Sequence, residues 1–226
     1  MIFVKAITKF EDFQPKAFIF DFDGTLADSM GAWDYVDRTF IERHNLPDNP
    51  EYNEKIVALG YDAGAEFVLQ TFDIGMTKEE IIDEWKSLAR HGYENEIVLK
   101  PYVVEYLDSV REQGFHMSVA TSLQRNLLEP CLKRNGIIDY FDDLLICDEL
   151  ASQGKCEPAV YLAAAKSLHQ DLSDCVVFED ISIAANTARK AGAYTIGVRD
   201  DNNQEVFERL EEAANMCIDS FKDLLV

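Results

Sequence analysis

The chain has 226 residues, of which 47% are apolar and 28% are charged, a composition typical of a globular protein with a sizeable core. Its 42 acidic residues against 21 basic ones give a formal net charge of −21, which repels nucleic acid and anionic membrane surfaces, so neither is expected as a partner. No apolar run approaches the ~20 residues that a membrane span needs, which argues against a transmembrane protein.

The first element that the sequence predicts is a buried strand over residues 16–22, KAFIFDF. The segment is aromatic and β-branched, as expected of a strand that is covered on both faces. The dipeptide Asp23-Gly24 follows and predicts a turn directly after the strand.

A long helical stretch follows this turn. From about residue 28 to residue 99 the apolar residues recur at helical spacing, and no convincing strand is expected between Ser29 and Lys100. Inside the stretch, Thr77 and Glu80 have the spacing of a capping box, which predicts the beginning of a helix.

After Pro101 the sequence alternates between strands and helices. Strands are predicted at 115–120, 144–147, 175–178 and 194–198, with helical segments between and after them. Such alternation indicates a parallel sheet with helices on both faces. We therefore predict an α/β fold with a doubly wound parallel sheet, formed by residues 1–28 and 100–226, into which an all-helical domain of residues 29–99 is inserted.

Polar side chains follow the strands of the predicted sheet at the edge where such sheets bind ligands. Carboxylates that lie close together repel one another unless a cation lies between them, and oxygen-only ligands favour Mg²⁺. The residues that four separate segments bring to this edge are Asp21, Asp23, Gly24, Thr25, Thr121, Ser122, Lys155, Glu179 and Asp180.

This set of side chains suits the transfer of a phosphoryl group. A cation would shield Asp21 enough for its carboxylate to attack an anionic phosphorus atom. Asp23, two residues further on, is placed to protonate a leaving oxygen and later to activate water. The candidate phosphate-binding and substrate-binding residues are Gly24, Thr25, Thr121, Ser122 and Lys155, with Lys155 supplying positive charge.

Four motifs in this order resemble those of the haloacid dehalogenase superfamily. Residues 21–25, DFDGT, fit its DxDGT signature, and residues 119–122, VATS, resemble its second motif. Lys155 falls where the third-motif lysine is expected, and residues 178–180, FED, resemble the acidic fourth motif. The resemblance is to the helical-cap subfamily, whose members are similar to phosphoglycolate phosphatase and β-phosphoglucomutase.

The resemblance implies a Rossmann-like core with a helical cap domain inserted after the first motif. It implies Asp21 as a nucleophile that forms an aspartyl-phosphate, and Asp23 as the general acid and base. It also implies Mg²⁺ bound by the Asp21 side chain, the Asp23 backbone carbonyl and Asp180. Glu179 is then either a further ligand or a group that supports the ligands.

Several positions depart from the pattern of the superfamily. Relatives usually have KPxPD where this chain has Lys155 followed by Cys156 and, at the last position, Ala159. They usually have EDSxxG where this chain has Ala184 in place of the glycine. These departures leave the nucleophile in place and concern the segments that hold Lys155 and the acidic pair.

The leading hypothesis is a Mg²⁺-dependent phosphatase of a small phosphorylated metabolite. The first alternative is a β-phosphoglucomutase-like isomerase on the same scaffold. A metal-independent dehalogenase is less favoured, because halide displacement needs neither Asp23 nor the pair Glu179-Asp180. A non-enzymatic phospho-acceptor domain is also less favoured, because such domains are shorter and lack an inserted cap. The sequence leaves the substrate, the cap residues that select it and the oligomeric state open.

The cysteines indicate the redox environment of the chain. There are five, widely spaced and without a CxxC pair, which favours a reducing compartment over a disulfide framework or a zinc site. The N-terminal segment also lacks the apolar run of a signal peptide. We therefore expect a cytoplasmic protein.

Overall fold

The computed structural model describes residues 5–10, 13–47, 64–150, 154–200 and 204–226. The chain divides into two compact units. The first unit combines Met1–Ser29 with Val98–Val226 and contains a β-sheet flanked by helices. The second unit is the intervening segment, Met30–Ile97, which is helical in its described residues.

A six-stranded parallel sheet forms the centre of the first unit. The strands described in the chain are β1 (Ala17–Phe20), β2 (Ala27–Asp28), β3 (Val98–Leu99), β4 (His116–Thr121), β5 (Asp143–Ile146), β6 (Cys175–Glu179), β7 (Tyr194–Val198) and β8 (Met216–Ile218). The order across the sheet is β5-β4-β1-β6-β7-β8, so that β1 lies at the centre between β4 and β6. The carboxyl ends of all six strands therefore meet at one edge.

The helices divide between the two units. In the described residues they are α1 (Met30–His44), α2 (residues 64–71), α3 (Lys78–Asn95), α4 (Val103–Glu112), α5 (Arg125–Arg134), α6 (Ala159–Ser167), α7 (Ser182–Lys190) and α8 (Gln204–Ala213). The first three belong to the second unit and the other five to the first unit. Among the described residues, we find no helix with the length and apolar character that crossing a bilayer requires.

Strand β1 is covered on both faces. Ala17 and Ile19 share a buried cluster with residues of α6, whereas Phe18 and Phe20 point to the opposite face. There Phe20 packs edge-on against Tyr106 of α4, with ring centroids 6.4 Å apart. This alternation of side chains, with helices above and below, is the doubly wound arrangement. The predicted α/β fold with a Rossmann-like core and a helical cap is confirmed.

The second unit is held together by an apolar cluster shared by its helices. Phe40 of α1 packs edge-on against Trp85 of α3, with ring centroids 5.4 Å apart, and both side chains are buried. Helix α3 begins with the predicted capping box, in which the Glu80 backbone N–H donates to Thr77 Oγ1 (3.2 Å). The Thr77 backbone N–H donates in return to Glu80 Oε2 (2.8 Å). The start of this helix is therefore fixed by local sequence.

The sequence prediction missed three short strands, β2, β3 and β8. The expectation of no strand between Ser29 and Lys100 was wrong, because β3 pairs with β2 in a two-stranded antiparallel sheet. A two-residue strand is too short to show a periodic pattern, and its partner is distant in sequence. Strand β8 at the edge of the main sheet has only three residues and was not foreseen either.

Candidate active site

The two buried carboxylates nearest the centre of the sheet lie where adjacent strands end. Asp21 directly follows β1, and its backbone N–H donates to the Phe178 carbonyl (3.0 Å), which continues the ladder between β1 and β6. Glu179 is the last residue of β6. Because side chains alternate along a strand, Asp21 and Glu179 both point to the face that α6 covers. Their exposures are 5% and 0%.

Lys155 joins these two carboxylates. It lies in a 3₁₀ turn, Gly154–Cys156, that precedes α6, and its ammonium donates to Asp21 Oδ1 and to Glu179 Oε1 (2.5 Å). Burial by itself would lower the pKa of Lys155, but the negative charges of Asp21 and Glu179 outweigh burial and raise that pKa. The side chain therefore stays positively charged, as the sequence argument required.

A tyrosine that sequence reasoning missed completes the contacts of Glu179. The hydroxyl of Tyr161, on α6, donates to Glu179 Oε1 (2.6 Å), and Tyr161 is fully buried. Burial raises the pKa of the Tyr161 hydroxyl, which therefore remains a proton donor. The second oxygen, Glu179 Oε2, is buried and has no hydrogen-bond partner among the described residues. A hydroxyl on the apolar face of the segment AVYLAAAKS was the available signal.

Three carboxylates form a cluster that suits a divalent cation. Asp21, Glu179 and Asp180 each offer an oxygen, and these atoms all lie within 4.8 Å of one another. Against the single ammonium of Lys155, the cluster leaves an excess of two negative charges when all three acids are ionised. Oxygen-only donors with this charge match a hard divalent ion such as Mg²⁺.

Burial and, to a lesser extent, neighbouring negative charge raise the pKa values of Glu179 and Asp180. Burial raises the pKa of Glu179 to about 7, although Lys155 acts in the opposite direction. Burial, followed by the charges of Asp21 and Glu179, raises the pKa of Asp180 well above its ordinary value. A bound cation would stabilise the ionised form of each acid and so lower these raised pKa values. The negative charge of the cluster therefore suits a cation at this place.

Gly24 lets the turn after β1 approach Asp180 closely. Its φ of +74° is left-handed, and a Cβ at this position would overlap Oδ2 of Asp180, whose Cγ would be only 2.8 Å away. The same Cβ would lie 3.1 Å from Oδ2 of Asp200. Only glycine therefore allows both the backbone conformation and the close approach.

Two other residues of the DFDGT turn have different surroundings. Asp23 is half-buried and forms a β-bridge with Ala27, while the Gly24 backbone N–H donates to the Ala27 carbonyl (3.0 Å). Thr25 is fully buried, and its hydroxyl donates to Asp180 Oδ1 (3.3 Å). The structure thus connects Thr25 to a candidate metal ligand, whereas the sequence assigned it to phosphate or substrate.

Asp200 and Lys100 form an ion pair near the cluster that the sequence argument overlooked. Lys100 Nζ lies 2.7 Å from Asp200 Oδ1 and donates to the Arg199 carbonyl (2.9 Å). Both side chains are largely buried, and the charge of Asp200 contributes to the raised pKa of Asp180. Asp200 follows β7 at the same edge of the sheet, so the rule that found Asp21 also points to it.

The hydroxyl residues after β4 are not joined to the carboxylates by any hydrogen bond recorded for the described residues. Thr121 ends β4, beside β1, and is buried, and its Oγ1 accepts from the Leu123 backbone N–H (3.0 Å). Ser122 is exposed and its hydroxyl lies 3.5 Å from the sulfur of Cys147. Thr121 is the last residue of β4 and Ser122 follows it, so both lie at the predicted edge, and their roles stay predictions.

Comparison with known proteins identifies the family of the chain. Residues 18–198 match the family of haloacid dehalogenase-like hydrolases, which confirms the resemblance seen in the motifs. A phosphorylated carbohydrates phosphatase of Thermotoga maritima is 26% identical over 178 residues, covering 78% of this chain and 82% of the relative. A β-phosphoglucomutase of Bacillus subtilis is 25% identical over 195 residues, covering 81% and 83%.

The fold is also similar to that of a solved structure. The crystal structure of CbbY from Rhodobacter sphaeroides, in complex with phosphate, superposes with a TM-score of 0.74 at 22% identity, covering 93% of this chain and 96% of that one. The family match extends from β1 to the end of β7 and so includes every segment that supplies the carboxylate cluster and Lys155. The chain belongs to the haloacid dehalogenase-like hydrolases.

Proposed function

We propose that the protein is a Mg²⁺-dependent phosphatase that hydrolyses a small phosphorylated metabolite through an aspartyl-phosphate on Asp21. The observation that carries the proposal is the convergence of Asp21, Glu179 and Asp180 within 4.8 Å, with Lys155 bonded to the first two. A cluster of three acids, two of them buried, with one ammonium is costly to maintain for stability alone, which favours a functional role.

The residues present fit a bound Mg²⁺. Oε2 of Glu179 is buried without a partner among the described residues, and such an oxygen is stabilised by a cation. Asp21, Glu179 and Asp180 would hold the ion, together with the Asp23 carbonyl that the family resemblance implies. When bound, Mg²⁺ would shield the negative charges that otherwise keep a carboxylate away from a phosphate.

The reaction proceeds in two displacements at phosphorus. In the first, a carboxylate oxygen of Asp21 bonds to phosphorus, the ester P–O bond breaks, and Asp23 gives its proton to the leaving oxygen. In the second, Asp23 removes a proton from water, the water oxygen bonds to phosphorus, and the bond to Asp21 breaks. Inorganic phosphate is released, and both aspartates return to their starting states.

Lys155 balances charge during these steps. An ammonium has three N–H donors, and two of them are directed to Asp21 and Glu179. Among the described residues the third has no hydrogen-bond acceptor, which leaves it for an oxygen of the phosphoryl group. A buried positive charge beside the nucleophile stabilises the negative charge that the transferring group carries.

The names of the relatives support a sugar phosphate or a similar small phosphate ester as the substrate. One relative acts on phosphorylated carbohydrates, and another is a β-phosphoglucomutase, which keeps the isomerase as the second candidate function. We assign substrate selection to the helical unit, Met30–Ile97. The family and the acidic cluster argue against a phospho-acceptor domain without enzymatic activity and against a metal-independent dehalogenase.

A phosphatase screen tests the proposal. Sugar phosphates, phosphoglycolate, nucleotides and pyrophosphate are incubated with the protein, with Mg²⁺ or with EDTA, and free phosphate is measured. Asp21→Asn serves as the blank, and turnover by this variant near the wild-type rate would exclude the covalent mechanism. With β-glucose 1-phosphate, release of phosphate without glucose 6-phosphate supports the phosphatase, and formation of glucose 6-phosphate supports the mutase.

The cysteines support the proposed cytoplasmic location. All five are free thiols, and Cys131, Cys147 and Cys175 are buried. Free thiols are stable in a reducing compartment. Fractionation of cells that express the chain, followed by immunodetection, tests this assignment.

A further inference from the structure

We propose that Tyr161 is a positioning residue of the carboxylate cluster, whose hydroxyl holds Glu179 by Oε1 so that Oε2 faces the cation. The inference deepens the proposed function and rests on it, because it concerns the same Mg²⁺ site. Neither the four sequence motifs nor the comparisons assign a role to this tyrosine.

The contacts of Glu179 divide its two oxygens into distinct roles. Oε1 accepts from two donors, Tyr161 Oη at 2.6 Å and Lys155 Nζ at 2.5 Å. Oε2 is buried and accepts from no group among the described residues. The terminal torsion of a glutamate is broad, so the carboxylate turns easily unless donors hold one oxygen. The two donors on Oε1 therefore determine which oxygen is left for the ion.

The position of Tyr161 follows from the fold. Ile19 of β1 and Val177 of β6 share a buried cluster with Tyr161 of α6, on the face of the sheet toward which Glu179 also points. The ring packs among apolar residues, and only its hydroxyl reaches the polar edge. The helix therefore delivers one oriented donor to a site whose other groups come from the strands and from the turn that carries Lys155.

A neutral donor has an advantage over a second cation at this place. Without the Tyr161 hydroxyl, Glu179 would be held only by Lys155, and the ammonium of Lys155 also contacts Asp21. A further ammonium or guanidinium would cancel charge that the cluster uses to attract Mg²⁺. A hydroxyl orients the carboxylate without cancelling that charge, in the way that groups behind metal ligands commonly do.

The test compares Mg²⁺ binding to wild type, Tyr161→Phe and Tyr106→Phe, measured by calorimetry without substrate and by competition with Mn²⁺. Phenylalanine keeps the ring in its packing and removes only the hydroxyl. We expect the Mg²⁺ dissociation constant of Tyr161→Phe to rise about tenfold or more, the range found when groups that orient metal ligands are removed. Tyr106 is a matched control, because it is equally buried and its hydroxyl donates to the Ile7 carbonyl (3.4 Å).

Unfolding temperatures separate positioning from general support of the fold. In EDTA both variants should unfold close to each other, since each loses one buried hydroxyl. Mg²⁺ raises the Tm of any form that binds it. At the same Mg²⁺ concentration we expect a smaller rise in Tm for Tyr161→Phe than for Tyr106→Phe. In kinetics, Tyr161→Phe should need more Mg²⁺ for half-maximal activity, with KM for the phosphate ester little changed once Mg²⁺ is saturating.

The outcomes distinguish this inference from the proposed function. Equal Mg²⁺ affinity in wild type and Tyr161→Phe overturns the role of Tyr161 and leaves the phosphatase proposal intact. Equal weakening in Tyr161→Phe and Tyr106→Phe also overturns it, since the effect would then come from packing. A wild-type protein that binds neither Mg²⁺ nor Mn²⁺ overturns the proposed cofactor and this inference together.

Discussion

The ammonium of Lys155 is bonded to the carboxylate of Asp21 across 134 positions of sequence, at the carboxyl end of the central strand. Both side chains are largely buried, so the attraction between them is weakly screened by water. Lys155 therefore balances the negative charge of the proposed nucleophile. Replacing Lys155 by an uncharged residue tests the site directly.

Lys155→Met should reduce phosphatase activity by about 100-fold or more, because the charge that stabilises the transferring group is lost. In EDTA the variant should also be less stable by about 3–5 kcal/mol, since Asp21 and Glu179 lose their partner in a buried pair. Mg²⁺ should raise its Tm by more than it raises that of wild type, because the cluster is then more negative. Lys166→Met, on the exposed side of α6, is the control and should resemble wild type.

Gly24→Ala should abolish most activity and weaken Mg²⁺ binding, because the new Cβ would displace Asp180. Gly114→Ala is the matched control: it has a φ of +83°, and no heavy atom lies within 4 Å of the position of its Cβ. It should show only the conformational cost, about 1–2 kcal/mol by urea unfolding, with full activity. Wild-type activity in Gly24→Ala would show that Asp180 does not need its observed position.

Asp23→Asn should retain substrate binding but lose about 10²–10⁴-fold in rate on a sugar phosphate, the contribution typical of general acid–base catalysis. The loss should be smaller in the first displacement with p-nitrophenyl phosphate, because that leaving group needs little protonation. Burst kinetics measures this step, with the exposed Asp28→Asn as the control. An equal loss in the first displacement on both substrates would contradict the role of Asp23 as the acid.

Cys156 should be the first thiol of the native protein to react with a disulfide reagent at about pH 8, because thiolates are the reactive form and access is required. It is exposed, whereas burial raises the pKa of Cys175 to about 12 and that of Cys217 to about 11. Cys156→Ser should remove the fast phase of labelling, which mass spectrometry can assign. A fast phase that persists in this variant would place the accessible thiol elsewhere.

Sequence patterns were sufficient for the framework of the site. The central strands β1 and β6 are apolar runs with acidic residues at their ends, and parallel topology then brings Asp21 and Glu179 together. The sequence signal for Tyr161 was weak, a hydroxyl on the apolar face of a helix, and only the folded chain shows which group that hydroxyl contacts. Lys100 was also missed, since its partner Asp200 lies 100 positions further along the chain.

The pairing of β2 with β3 fixes the two points at which the chain leaves and re-enters the first unit. Ala27 pairs with Leu99, and the Lys100 backbone N–H donates to the Leu26 carbonyl (2.9 Å), so the ends of the intervening segment are adjacent. The intervening segment can therefore be replaced or changed in length without altering the path of the chain from β1 to Asp21. If the intervening segment selects the substrate, as proposed, a chimera that receives the corresponding segment of a relative at these two strands should keep the hydrolytic chemistry and acquire the substrate preference of that relative.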